Sequence, residues 1–241
     1  MHLIVTRPEA DAAEMAGRIE AMGHRVSLAP LLEMRPTGVP LNFAGVQGIV
    51  ATSRNALRAL ADRPQLEIVK RMPIFVVGPA SADLARDLGF TNVTAGTGGG
   101  RQLLPLIQQT CTTGGGPLLY LSGDAVAFDM GGALAGAGYD VRHQVVYEAV
   151  EASSLPGSVV AAIRASEVAG VIVMSARTAK VFVRLVQNAG AGGEAGQLAY
   201  LCISQSVADA LGEPKPRVLV ADRPTSEEML ALVKELASNC L

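Results

Sequence analysis

Short apolar runs separated by helix-competent stretches dominate the chain. Leu3-Ile4-Val5, Ile49-Val50-Ala51, 74–77, 118–121, 171–173, 199–203 and 218–221 are brief and nearly unalternated, as expected of strands buried on both faces of a parallel sheet. Between them the pattern predicts helices at about 8–22, 53–60, 81–88, 101–109, in a Gly/Ala-rich stretch ending near Gly138, and at 178–188, 206–211 and 226–237, with Gly23, Gly89 and Gly212 as stops. Strands alternating with helices predict an α/β fold built on parallel sheets.

The same events occur twice in one order. The strand, small-residue turn, helix and glycine stop of 75–89 recur at 200–212, about 126 positions on, with Ala82-Asp83 falling on Ala208-Asp209. Likewise 103–107 falls on 229–233, 48–56 resembles 170–179, and the first βα unit at 3–32 resembles 118–146. These echoes predict an internal duplication with about five strands per copy, suiting a flavodoxin-like doubly wound sheet. The extended segments 26–35 and 141–150 correspond. Pro36-Thr37-Gly38-Val39-Pro40 has linker composition, and 112–117 marks the seam between copies.

A length of 241 residues accommodates one large domain or two of roughly 100–120 residues, and the duplication favours two. A net charge of -2 and the absence of Trp leave neither the basic field nor the stacking surfaces of a nucleic-acid binder. Cys111, Cys202 and Cys240 form no CxxC pair, so a reducing cytoplasm is expected and no zinc site follows. No apolar run approaches membrane-spanning length, and Arg7 and Glu9 arrive too early for a signal-peptide core.

In an open parallel sheet ligands bind beyond the carboxyl ends of the strands. The turns there are uniform: Thr6-Arg7, Thr52-Ser53-Arg54, Gly78-Pro79-Ala80-Ser81, Ser122-Gly123, Ser175-Ala176-Arg177, Ser204-Gln205-Ser206 and Pro224-Thr225-Ser226. Hydroxyls and free backbone N–H groups at helix starts favour an anion, although Ser and Thr are also ordinary N-caps. Arg7, Arg54 and Arg177 follow their strands similarly and could hold carboxylates, against a background of sixteen Arg to four Lys.

Gly98-Gly99-Gly100-Arg101 lacks the ending of a phosphate-binding loop, and no GxGxxG, GxSxG or HExxH pattern occurs, so no nucleotide is expected. His2, His24 and His143 stand apart and read as surface or packing residues. Tyr147, in the extended Val145-Val146-Tyr147-Glu148, could present a phenol as a proton or hydrogen-bond donor. Glu33, in the matching segment, reads as solvated.

In order, Thr6-Arg7-Pro8, Gly23-His24-Arg25-Val26, Pro30-Leu31-Leu32-Glu33, Thr52-Ser53-Arg54-Asn55-Ala56, Val77-Gly78-Pro79-Ala80-Ser81-Ala82, Gly89-Phe90, Val146-Tyr147-Glu148-Ala149, Ser175-Ala176-Arg177-Thr178-Ala179 and Cys202-Ile203-Ser204-Gln205-Ser206-Val207-Ala208 resemble the uroporphyrinogen-III synthase family over nearly the whole chain. The resemblance implies two flavodoxin-like doubly wound domains that exchange their first βα units, 1–34 with 151–241 and 38–144, joined by a two-stranded antiparallel linker of 31–35 and 145–150. It implies cofactor-independent cyclisation of hydroxymethylbilane, a linear tetrapyrrole polycarboxylate, to uroporphyrinogen III. Water is lost and ring D is inverted through a spirocyclic intermediate.

By the same resemblance Tyr147 assists departure of the hydroxyl, and Thr52, Ser53, Ser81, Ser175 and Ser206 line a cleft. The turn residues Thr6, Arg7, Arg54, Gly78, Ser122, Gly123, Arg177 and Ser204 complete the expected substrate contacts. No metal or cofactor is expected, and the chain is read as a cytoplasmic monomer without nucleic-acid or membrane partners. Two departures fall in one turn: Ser204-Gln205 stands where relatives often carry Gly-Pro, and Val207 replaces an expected hydroxyl. A non-catalytic two-lobed binder of an anionic small molecule needs the same turns but not Tyr147, and a regulatory module acting through partners would need an exposed apolar surface.

Overall fold

The computed structural model describes residues 1–97, 99–126, 128–212 and 217–239. Along the chain, β1 (His2–Val5) leads into α1 (Glu9–Glu20), β2 (Arg25–Leu28) and β3 (Leu32–Pro36). Next come β4 (Gly48–Ala51), α2 (Arg54–Ala61), α3 (Leu66–Val69), β5 (Ile74–Val77), α4 (Pro79–Asp87), β6 (Val93–Gly96) and α5 (Leu103–Thr110). They are followed by β7 (Leu118–Gly123), α6 (Met130–Gly136), β8 (Val141–Glu151), α7 (Gly157–Arg164), β9 (Gly170–Val173) and α8 (Ala176–Asn188). The last elements are α9 (Gly192–Ala195), β10 (Ala199–Cys202), α10 (Gln205–Asp209), β11 (Arg217–Val220) and α11 (Ser226–Ser238).

The chain divides into two compact units, Met1–Glu33 with Val150–Leu241, and Met34–Ala149. In the first unit the sheet order is β11-β10-β9-β1-β2, every neighbouring pair parallel. Successive side chains point to opposite faces, so Ile4, Val171 and Val173 pack with Phe182, Leu185 and Val159 on one side. Leu3, Val5 and Ile172 pack with Ile19, Met229 and Val233 on the other. Burial on both faces is why these strands are continuously apolar.

The second unit has the order β3-β8-β7-β4-β5-β6, parallel from β8 to β6. Ile49, Ala51, Ile74 and Val76 face Leu57 and Ala85, while Val50, Phe75, Leu118 and Tyr120 face Leu103, Ile107 and Leu134. Thr37 N–H donates to Val146 O and Ala152 N–H to Leu31 O, so β3 runs antiparallel to β8. These two strands carry the chain from one unit to the other.

Read from β2 and from β8, the two sheets give β2-β1-β9-β10-β11 and β8-β7-β4-β5-β6. The four sequence echoes superpose on this order: 3–32 on 118–146, 48–56 on 170–179, 75–89 on 200–212, and α5 on α11. Three helices fall where the apolar pattern assigned none. Helices α3 and α9 have four residues each, too few to establish a 3.6-residue period, and α7 begins with Pro156-Gly157 instead of a hydroxyl or carboxyl cap. The segment 26–35 is two strands separated by the buried Ala29 and Leu31, whereas its counterpart is a single eleven-residue strand.

Candidate active site

In the second unit the carboxyl ends of β4, β5, β7 and β8 assemble a polar edge. Ser53 leaves β4 in extended conformation and caps α2, its Oγ accepting from Asn55 N–H at 3.1 Å. Thr52 Oγ1 lies 3.4 Å from the hydroxyl of Tyr120, and Arg54 opens α2 half-buried. Gly78 has φ 75°, which a glycine adopts without a Cβ penalty, and Pro79 follows as the first helical residue of α4. The Gly78 N–H is held by Gly96 O, so this glycine supplies the turn, and Ser81 lies buried in the first turn of the helix.

Tyr147 reaches this edge from β8. The β7–β8 register shifts between Ser122 and Gly123, placing Gly123 opposite Tyr147. A Cβ on Gly123 would lie 2.5 Å from Tyr147 Cζ and 2.8 Å from its hydroxyl oxygen. The ring therefore occupies the space that the glycine vacates. Asp124 N–H donates to Tyr147 O and Asp124 Oδ1 accepts from Ala149 N–H, pinning the end of β7 to β8. Burial pushes the Tyr147 phenol above its ordinary value, a hydrogen bond with the Ser53 side chain opposes this, and Asp124 and Tyr120 add to the rise. At neutral pH the phenol keeps its proton and can donate it.

Ser122 is fully buried beside it. Its hydroxyl donates to Gly123 O at 2.9 Å, and its oxygen lies 2.7 Å from His143 Nε2. The His143 ring stacks on Tyr120, with centroids 4.6 Å apart and planes inclined by 16°. None of His143, Tyr120 or Asp124 stands out in the sequence. Ser122 and His143 are 21 positions apart and meet only because β7 and β8 pair in this register.

In the first unit the expected residues divide. The buried Thr6 hydroxyl donates to Ile172 O at 2.7 Å, tying the end of β1 to β9. Arg7 lies against Asp11, four residues along α1, at 3.3 Å. Ser175 and Thr178 form a reciprocal capping box on α8. Arg177 Nε donates to Glu151 Oε1 at 3.1 Å and Arg184 donates to Glu151 Oε2 at 2.7 Å; these two bonds hold the Glu151 carboxyl below its ordinary range. Ser204 heads α10 without capping a backbone N–H of the helix, its Oγ instead 3.0 Å from the hydroxyl of Ser206 in the first turn.

One electrostatic feature separates these turns. α2, α4, α8 and α10 have no acidic residue in their first turns, whereas α1 carries Glu9 and Asp11 and α11 carries Glu227 and Glu228. A helix N-terminus attracts negative charge; α1 and α11 carry their own in the first turn, and α2, α4, α8 and α10 do not. Among the described residues no three His, Cys, Asp or Glu side chains are grouped to hold a metal ion. Cys111 and Cys202 are buried free thiols, the latter pushed by burial to about 12, and Cys240 lies outside the described residues. No helix among the described residues is long and apolar enough to cross a membrane.

A sequence model described as uroporphyrinogen-III synthase HemD matches residues 13–231. Among solved structures, the uroporphyrinogen-III synthetase of Helicobacter pylori aligns with a TM-score of 0.65 and 20% identity, over 98% of this chain and 100% of that one. A mutant uroporphyrinogen III synthase of Thermus thermophilus aligns with a TM-score of 0.54 and 19% identity, over 99% of each chain. A search of curated proteins gives no match. At these identities the structural likenesses establish the fold, while the family match rests on the sequence.

Proposed function

The chain belongs to the uroporphyrinogen-III synthase family, and from that premise we propose how its own residues close hydroxymethylbilane to uroporphyrinogen III. Tyr147 is the catalytic residue. Its protonated phenol, held over Gly123 and beside Ser53, donates a hydrogen bond to the departing hydroxyl of the linear tetrapyrrole. No cofactor takes part in this cyclising dehydration.

The substrate is a polycarboxylate, and ionised carboxylates leave water only when paired or hydrogen-bonded. The acid-free N-termini of α2, α4, α8 and α10, with Thr52, Ser53, Gly78, Ser81, Ser175, Ser204 and Ser206, supply those bonds. Arg54 and Arg177 add guanidinium donors. Thr6, Arg7, Ser122 and Gly123 belong to the same edges in a supporting part, since Thr6 and Ser122 are buried, the Arg7 side chain lies largely covered against Asp11, and Gly123 makes room for Tyr147. Positioning of ring D is the larger share of catalysis: the flexible substrate can close spontaneously to the symmetric isomer, and orientation selects the other.

The finer architecture in this reading is two flavodoxin-like domains, 1–34 with 151–241 and 38–144, linked by strands 31–35 and 145–150. The order β2-β1-β9-β10-β11 supports it, being the doubly wound order 2-1-3-4-5. A cytoplasmic monomer without nucleic-acid partners completes the proposal, supported by two buried free thiols, a net charge of -2 and the absence of Trp.

The observation that carries the reading is the Tyr147 ring seated against Gly123 at the carboxyl edge of the sheet, where the β7–β8 register shifts. Freshly generated hydroxymethylbilane is supplied, the products are oxidised, and the I and III porphyrins are resolved. The wild-type protein yields an excess of III, and Tyr147→Phe lowers that turnover by about 10- to 100-fold, at or below the low end of general-acid contributions, with its circular dichroism unchanged. Undiminished turnover in Tyr147→Phe would remove the acid role and leave positioning alone.

A further inference from the structure

His143 lies outside the residues assigned to the site, exposed on β8 and yet fixed at two points. Its ring is stacked on the buried Tyr120, which restricts rotation, and its Nε2 meets Ser122 Oγ at 2.7 Å. The direction of that bond follows from proton count. A serine hydroxyl has one hydrogen, and that of Ser122 goes to Gly123 O, a carbonyl that can only accept. With the Ser122 hydrogen so placed, the 2.7 Å contact is completed by the Nε2–H tautomer of His143 donating to Ser122 Oγ.

A directed chain results: His143 Nε2–H to Ser122 Oγ, Ser122 Oγ–H to Gly123 O. It ends on the glycine that Tyr147 covers, at the register shift between β7 and β8. The space a Cβ on Gly123 would fill is taken by the tip of the Tyr147 ring. We propose that His143 is a positioning residue for the synthase reaction, acting through Ser122 and Gly123 to hold the Tyr147 phenol toward the departing hydroxyl. This rests on the role given to Tyr147 above.

A ring nitrogen that donates to Ser122 Oγ holds that hydroxyl without exchanging a proton with the substrate. A histidine acting instead as a proton acceptor or donor to substrate would impose its own titration on turnover. The positioning role therefore predicts that no limb of the pH–kcat profile is lost when His143 is replaced.

His143→Phe keeps an aromatic ring on Tyr120 and removes the donor; His143→Gln places an amide N–H near the position of Nε2. With the full chain and freshly generated hydroxymethylbilane, His143→Phe lowers kcat by about 5- to 10-fold, the size of one lost hydrogen bond, at nearly unchanged KM. The share of III also falls, and His143→Gln restores most of both. Equal losses in the two variants, a change confined to KM, or a pH limb that disappears would overturn the proposal.

A second readout is independent of turnover. The protein has four Tyr and no Trp, so tyrosinate absorbance, differenced against Tyr147→Phe, reports the Tyr147 phenol directly. In His143→Phe its titration moves away from the wild-type midpoint, because the burial that raises it and the Ser53 bond that lowers it both depend on where the phenol lies, and in His143→Gln it keeps the wild-type midpoint; an unmoved titration in His143→Phe overturns the positioning role. If the wild-type protein makes no III, the functional reading fails, and this titration still decides whether His143 positions the phenol.

Discussion

Gly123 and Tyr147 occupy one space between them. The atoms that a Cβ on Gly123 would meet are the far end of the tyrosine, Cζ, Cε2 and the hydroxyl, all within 2.8 Å. A ring tip can swing aside, so Gly123→Ala is expected to cost little stability, about 1 kcal/mol or less, at the mild end of overpacking, while displacing the phenol. Turnover should fall as far as in Tyr147→Phe, with a thermal midpoint near that of the wild type; retained turnover would show that the ring need not lie where it does. Tyr147 could be singled out from its extended segment, because a phenol among apolar strand residues is a chemical exception that a sequence displays. Gly123, His143 and Asp124 could not be paired with it, because their meeting depends on register across two strands, and a one-residue slip would separate them.

The elements that carry the site were more legible than its contacts. Ser53, Ser175, Ser204 and Thr225 read as helix starts, and each does head a helix, because a hydroxyl before an apolar-periodic stretch has a local use as a cap. What the sequence pattern does not display is which hydroxyls are already engaged: that of Thr6 serves Ile172 O, and that of Ser175 serves Thr178. The acid-free first turns of α2, α4, α8 and α10 give a test on one element. Ala80, exposed in the first turn of α4, becomes a carboxylate in Ala80→Asp. By the helix dipole this stabilises the protein by about 0.3–1 kcal/mol, but it places like charge where a substrate carboxylate is to sit. The thermal midpoint should rise while KM rises several-fold; a raised midpoint with unchanged KM would remove α4 from the substrate contacts.

At the scale of the whole molecule, each unit holds its own pair of packed faces, and the first carries a histidine that is neutral when folded. In the first unit Arg25 donates to His2 Nδ1, which must then bear a lone pair, while Nε2–H is left to donate to Ser27 Oγ; both bonds are 2.8 Å. Burial lowers the His2 value, Arg25 and the N-terminal ammonium add to this, and Glu167 opposes it. The folded chain thus favours neutral His2. Its contribution to stability is complete above the ordinary value of 6.5 and is lost as pH falls through the lowered folded value. Urea midpoints at pH 7.5 and 5 should differ more for the wild type than for His2→Gln, and equal differences would clear His2 of any part in acid sensitivity.

The strand order has a consequence for how the chain is made. In the first unit β1 lies between β2 and β9, with Leu3 opposite Gly170, 167 positions later. The second unit is one continuous stretch, residues 34–149. At roughly 5–20 residues per second on a ribosome, Leu3, Ile4 and Val5 emerge roughly 10 to 30 seconds before the strand that covers their open edge. In that interval the second unit can be completed on its own. Truncation anywhere before Gly170 leaves β1 without the neighbour that makes it a central strand.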